Sequence, residues 1–244
     1  MTTIDPALLE GVELLSLDAG NTVIFLDHAR LAEIAQRNGF TVDTSTLIRC
    51  EGEAKRAIED DTLCDVAWDA AHLPGARPWG AMVGTILHRA GAPAAMLPGL
   101  VTALWHEHVA LNLWSLVPPG LGVALDAVRE RGVRVAIVSN SEGMLDVLFA
   151  RLGIAKHFDL VVDSGKAGVE KPDARIFRIA MDALGAAPSR TLHLGDTVAT
   201  DIVGARNAFA RFALIDPFGH AEGTHLDVPR VPGVVAVADA LMTR

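Results

Sequence analysis

Apolar residues recur along this chain in two different rhythms. The first strand signal is the run VELLSL over residues 12–17, which stops at Asp18. It is mostly apolar with little alternation, as expected of a strand covered on both faces. From about residue 26 to residue 113 the pattern is helical. Asp27 is placed to cap a helix over 28–38, which stops at Gly39. Leu47, Ile48, Ala54, Ala57 and Ile58 share one face of a second helix over 43–60. Pro74-Gly75 and Pro78 mark an irregular stretch, and helices follow over 80–89 and 94–113. Pro118-Pro119-Gly120 then breaks the chain. Beyond it, helices over 121–131, 142–152, 173–184 and 201–208 alternate with strands over 134–139, 160–162, 191–195 and 211–215. A small helix over 234–242 follows.

Strands separated by helices of this length form a parallel sheet with right-handed crossovers. The strand at 12–17 therefore pairs with strands more than 100 residues later, and the helical block between them is an insertion. The expected fold is α/β: a doubly wound, Rossmann-like core from residues 1–25 and 115–244, with an all-helical cap from residues 26–114. Ligands of open parallel sheets bind beyond the carboxyl ends of the strands, so the chemistry is expected there, with the cap above it.

Charge and composition narrow the partners. Thirty acidic against 21 basic residues give a net charge of −9. That disfavours nucleic acid or an anionic membrane as the main partner. A small anionic substrate remains compatible, because a site can be locally positive. No run of about 18 apolar residues suggests a membrane span; the best stretch, 97–117, is interrupted by Pro98 and by His106-Glu107-His108. Residues 1–11 contain Asp5 and Glu10 and do not read as a signal peptide. Cys50 and Cys64 are no disulfide framework, so a reducing cytoplasm is expected.

The strand ends carry Asp18, Ser139 and Asp196, with Asp201 at a helix start and Lys171 in a loop. An aspartate after an apolar strand, followed by Ala19, Gly20, Asn21 and Thr22, either caps a turn or attacks an electrophile. Ser139-Asn140 offers a hydroxyl, an amide and backbone N–H groups, which either donate to an anionic oxygen or form an ordinary N-cap before Glu142. Lys171 precedes Pro172, which disfavours helical angles and holds the lysine in a loop. Lysine is scarce here, occurring only at Lys55, Lys156, Lys166 and Lys171. Asp196 and Asp201 suit a hard, oxygen-ligated cation such as Mg²⁺, although Asp201 alone reads equally as a helix cap. Together these residues make a set able to transfer a phosphoryl group through an aspartyl intermediate.

The segments LLSLDAGNTV, VAIVSNSEG, VEKPDARIF and HLGDTVATDIVGARNAF resemble the four ordered motifs of the haloacid dehalogenase-like hydrolase superfamily. The resemblance covers about the whole chain, because the helical insertion after the first motif resembles the cap of its phosphatase, phosphonatase and dehalogenase branch. It implies that Asp18 is the nucleophile. Ser139 would hold the transferring group, with Asn140 and Thr22 also facing the substrate. Lys171 would neutralise charge between the nucleophile and the phosphoryl oxygens, favouring the ionised form of Asp18 and lowering its pKa. Mg²⁺ would be held by Asp18, the backbone carbonyl of Gly20, Asp196 and Asp201.

One position departs from the pattern. Phosphatases of the superfamily usually carry a second aspartate two residues after the nucleophile, as general acid and base. Here that residue is Gly20. Acid–base assistance is typically worth about 10²–10⁴ in rate. The reading is therefore a slow or specialised Mg²⁺-dependent hydrolase of small phosphorylated metabolites, acting through an aspartyl phosphate. Asp27 or His28, just after the motif, could substitute as proton donor. The alternatives are a phosphonatase- or dehalogenase-like hydrolase and a non-catalytic metal- and phosphate-binding regulator. A phosphonatase needs a cap lysine; the only one, Lys55, reads as a solvated helix residue. Trp105-His106-Glu107-His108 reads as a cap-surface helix rather than a zinc site, since adjacent helical positions splay apart. The two cysteines read as packed thiols, and Trp68, Trp79, Trp105 and Trp114 as cap core.

Overall fold

Four consecutive buried residues, Leu14–Leu17, form β1. In the computed structural model, which describes residues 4–69, 71–73 and 75–243, β1 lies at the centre of a six-stranded parallel sheet. Its neighbours are Arg134–Ser139 (β4) on one side and Thr191–Gly195 (β6) on the other. Leu160–Asp163 (β5) flanks β4, while Arg211–Ile215 (β7) and the two-residue strand Arg230–Val231 (β8) follow β6, giving the order β5-β4-β1-β6-β7-β8. Leu14, Ala136, Val138 and Val162 pack with Ile176, Phe177, Ala180 and Met181 of Ala174–Leu184 (α9). Residues of opposite parity, Leu15, Leu17, Val135 and Ile137, are also fully buried. Both faces of the sheet are thus covered, which is why its strands do not alternate in sequence.

By internal contacts the chain divides into two units. The sheet unit comprises Met1–Phe25, Leu116–Pro217 and Gly223–Arg244; the second comprises Leu26–Ser115 and Phe218–Glu222. The chain passes between them through Phe25–Leu26 (β2) and Trp114–Leu116 (β3), which pair as a two-stranded sheet. The second unit has its own core, in which His28–Arg37 (α2), Thr44–Glu59 (α3), Ala76–Arg89 (α4) and Leu97–Ala110 (α5) bury Leu31, Ile34, Leu47, Val83, Ile86, Val101 and Leu104. Asp27 and Asp43 cap α2 and α3 by accepting from the backbone N–H groups of Arg30 and Thr46. Trp68, Trp79 and Trp105 meet at ring separations of 5.0–5.9 Å. Gly80 is required there, because a Cβ would enter the Trp68 indole.

Several local expectations are corrected. The helix expected over 142–152 starts only at Leu145 (α7, Leu145–Arg151). The Asp163 carboxylate accepts from the N–H groups of Gly143 and Leu145 and ties the preceding loop down instead. The helix expected over 201–208 is a wide turn over Val198–Ile202 running into Val203–Asn207 (α10). The 94–113 helix is a 3₁₀ turn at Ala94–Met96 followed by α5. Lys55 is buried, not solvated. Its Nζ lies 3.2 Å from Nδ1 of His220, beside a buried Glu51 that pairs with His28. His108 is buried as well, with Nδ1 accepting from Trp79 Nε1, so α5 is not merely a surface helix. Pro74 and residues 1–3 lie outside the described residues. No helix among the described residues is long and apolar enough to cross a membrane.

Candidate active site

Chain order reverses around β1, with β4 to one side and β6 to the other. This opens a crevice at the carboxyl end of the central strand. Asp18 stands at that end, its N–H bonded to the carbonyl of Leu194. Ser139, the last residue of β4, donates from Oγ to Asp18 Oδ1 at 2.8 Å. Lys171 Nζ donates to the same Oδ1 at 2.5 Å and to Asp201 Oδ1 at 2.5 Å. All four side chains are buried. Neither donor takes Oδ2 of Asp18, which leaves that oxygen for other chemistry.

Each member is held by identifiable local structure. The Asn140 side chain brackets the Lys171 peptide: its Nδ2 donates to the Lys171 carbonyl at 3.0 Å, and its Oδ1 accepts the Lys171 N–H at 2.7 Å. Asn140 thus holds the backbone of Lys171. Asp201 folds back against the end of β6 because Gly195 has no side chain; a Cβ there would collide with the Asp201 carboxyl group. The Thr197 N–H donates to Asp201 Oδ2 at 2.9 Å. Wide turns of the kind around Asp201 often occur at functional positions. Asp196 is half-buried and accepts from Asn21 Nδ2 at 3.3 Å. Asn21 belongs to a tight loop in which the Ala19 carbonyl accepts from both Val23 and Ile24. Gly20 bridges to Ile24 in the same loop, and Thr22 Oγ1 is buried with no hydrogen-bond partner among the described residues.

The electrostatics follow from burial of so many charges. Burial raises the Asp18 pKa to about 7, with Asp201 and Asp196 adding to the rise and Lys171 opposing it. Lys171 therefore does favour the ionised form, as expected, but in the metal-free protein desolvation outweighs it. Burial works against charge at Lys171 too, yet the Asp18 and Asp201 carboxylates outweigh it and raise its pKa. Asp201 is held low by Lys171 and His193 despite its burial. Two carboxylates around one ammonium leave a negative balance suited to a cation. Asp18, Asp196 and Asp201 each offer an oxygen, all within 4.8 Å of one another. Such an all-oxygen set fits a hard ion such as Mg²⁺.

Two residues of this cluster gave no sequence signal. His193, in the middle of β6, is fully buried and reaches Asp201 Oδ1 with Nε2 at 3.2 Å. Ser16, in β1, meets His193 Nδ1 at 2.9 Å. Asp27 and His28, considered as substitute proton donors, are otherwise committed: Asp27 caps α2 and His28 pairs with Glu51.

Comparison with known proteins adds to this geometry. The profile of a hydrolase family described as haloacid dehalogenase-like hydrolase matches residues 44–208. The haloacid dehalogenase-like hydrolase domain-containing protein 3 of Bos taurus is 29% identical over 201 residues, covering 80% of this chain and 78% of the relative. A phosphoserine phosphatase of Thermus thermophilus is 31% identical over 163 residues, covering 62% of this chain and 63% of the relative. Among solved structures, the magnesium-bound HAD-hydrolase YfnB of Bacillus subtilis superposes with a TM-score of 0.63 at 14% identity, covering 94% of this chain and 96% of that one. At that identity the likeness concerns the fold alone.

Proposed function

This chain belongs to the haloacid dehalogenase-like hydrolase family, and from that premise we propose that it hydrolyses a small phosphorylated metabolite through a phosphoryl group carried on Asp18. The observation that carries the reading is the buried contact of Asp18 with both Ser139 and Lys171, within reach of Asp196 and Asp201. Phosphatases among its relatives support the same reaction class.

In this mechanism Asp18 Oδ2 attacks phosphorus and the bond to the leaving oxygen breaks. The Lys171 ammonium and the Ser139 hydroxyl, both already aimed at the Asp18 carboxylate, stabilise charge on the transferring oxygens. Thr22 Oγ1, buried without a partner, is a further donor that a bound anion would satisfy. Water then attacks the acyl phosphate, releasing inorganic phosphate and restoring Asp18. Asp18, Asp196, the Gly20 carbonyl and Asp201, the last directly or through water, would hold Mg²⁺, which supplies charge neutralisation for the phosphoryl group. Asp201 also accepts from Lys171, His193 and Thr197, so it grips the Lys171 ammonium beside Asp18 as well.

Gly20 offers no acid to the leaving oxygen and no base to the attacking water. Substrates with stable leaving groups, aryl or acyl phosphates, are therefore favoured over sugar phosphates. The test is hydrolysis of para-nitrophenyl phosphate with Mg²⁺ and with a chelator, together with Asp18→Asn. Turnover that needs both the metal and Asp18, with a phosphorylated protein trapped at Asp18, supports the reading. Hydrolysis that survives Asp18→Asn overturns it.

A further inference from the structure

The polar pair behind the active-site carboxylates, Ser16 and His193, plays no part in the reaction above. The two are register partners on adjacent strands, Ser16 in β1 and His193 in β6. His193 is flanked by Leu192 and Leu194, and its imidazole is completely buried. An apolar side chain would pack in this strand at less cost, because a buried polar ring must find partners for both nitrogens. Here it finds them. Nδ1 lies 2.9 Å from Ser16 Oγ and Nε2 lies 3.2 Å from Asp201 Oδ1.

The donor roles follow from chemistry. An ionised carboxylate only accepts, so Nε2 carries the hydrogen and donates it to Asp201. Nδ1 is then the acceptor and takes the Ser16 hydroxyl hydrogen. A single neutral tautomer satisfies the whole chain Ser16–His193–Asp201. The ring of Phe177 stands edge-on to the imidazole at 4.8 Å and 87°, which fixes the ring plane.

The receiving oxygen matters most. Asp201 Oδ1 is the same atom that accepts from Lys171 Nζ, and Lys171 is the residue that bridges to Asp18. Thr197 holds the other oxygen. Without His193, Oδ1 would depend on Lys171 alone, and only the Thr197 N–H on Oδ2 would set the carboxylate's orientation independently of the ammonium. Building on the phosphatase reading, we infer that His193, backed by Ser16, is a positioning residue: it holds the Asp201 carboxylate where that carboxylate grips Lys171, and so fixes the ammonium against Asp18.

Two polar variants separate this role from packing. His193→Gln keeps an N–H donor near the Nε2 position, in reach of Asp201. His193→Asn keeps a polar atom near the Nδ1 position, in reach of Ser16, and abandons Asp201. With para-nitrophenyl phosphate and Mg²⁺, His193→Asn is expected to lose about 10- to 100-fold in kcat with KM little changed. His193→Gln is expected to recover most of that loss. Equal rates in the two variants, or a better rate in Asn, overturn the inference. A second readout does not depend on activity or on a variant folding. Imidazole ¹⁵N spectra of the wild-type protein should show hydrogen on Nε2 of His193; hydrogen on Nδ1 instead overturns the inference. If Asp18→Asn still hydrolyses the ester, the phosphatase reading falls. The positioning of Lys171 is then decided by the spectra and by a crystal structure of His193→Asn, where an unmoved Lys171–Asp201 contact counts against it.

Discussion

Mg²⁺ binding should be linked to loss of a proton from Asp18. In the metal-free protein burial raises this group from 3.8 to about 7, with help from Asp201 and Asp196 and against the pull of Lys171. Folding therefore favours the protonated form. That contribution to stability is complete below about pH 4 and is lost as the pH rises through about 7, so the metal-free protein should weaken across that window. The displacement corresponds to roughly 4 kcal/mol against the ionised form. A hard cation needs that ionised form. About one-tenth of Asp18 is ionised at pH 6 and about nine-tenths at pH 8, so apparent Mg²⁺ affinity should rise about tenfold between them. Titration calorimetry at both pH values, in two buffers with different heats of protonation, measures affinity and proton release together. Melting curves should show a larger Mg²⁺-induced rise in Tm at pH 8 than at pH 6. Asp18→Asn should abolish the pH dependence. Equal affinity at pH 6 and pH 8 without proton release would refute the assignment of the raised pKa to Asp18.

Three further outcomes follow from the same contacts. Lys171→Met leaves two buried carboxylates facing each other without their ammonium, a loss of about 3–5 kcal/mol. Its melting temperature should fall at pH 8, fall less at pH 5 where Asp18 is protonated, and turnover should vanish; an unchanged Tm and rate would show that Lys171 is not the counter-charge. Gly195→Ala drives a Cβ into the Asp201 carboxyl group, and displacement of about 1 Å should cost about 10²-fold in kcat, with circular dichroism to check the fold. Wild-type kcat in that variant would mean Asp201 need not sit where it does. Gly20→Asp should raise turnover of alkyl phosphates, while the wild type should show a pre-steady-state burst on aryl phosphates as the phosphorylated Asp18 accumulates. A wild type that hydrolyses alkyl and aryl esters equally fast would reveal another proton donor.

Much of the architecture was legible in the order of residues. The switch from a continuous helical pattern to alternating helices and strands after Pro118-Pro119-Gly120 identifies a parallel sheet. Apolar runs that end in Asp18, Ser139 and Gly195 mark the strand ends where ligands bind. These are local properties: period, breaker residues and the residue that follows a buried run. Even so, local signals failed where a distant group competed for the backbone. Gly143 takes a left-handed φ of 86° and the Asp163 carboxylate, 20 positions on, accepts from the Gly143 and Leu145 N–H groups, so α7 begins three residues later than its pattern suggests.

Side-chain partnerships are a different matter. Lys55 has the helical spacing of a solvated residue, yet it is buried against His220, 165 positions away in the chain. Asn140 reads as a donor for substrate, and nothing in its sequence position shows that its amide also brackets the Lys171 peptide, 31 positions away. Ser16 and His193 are unremarkable in two apolar runs, and only the pairing of β1 with β6 sets them side by side beneath Asp201. The sequence determined which segments become strands and helices, because propensity and hydrophobic period act over a few residues. Only the tertiary structure decided which charges share a buried space. Strand order and register bring together residues more than 100 positions apart, and burial then makes their charges interact strongly.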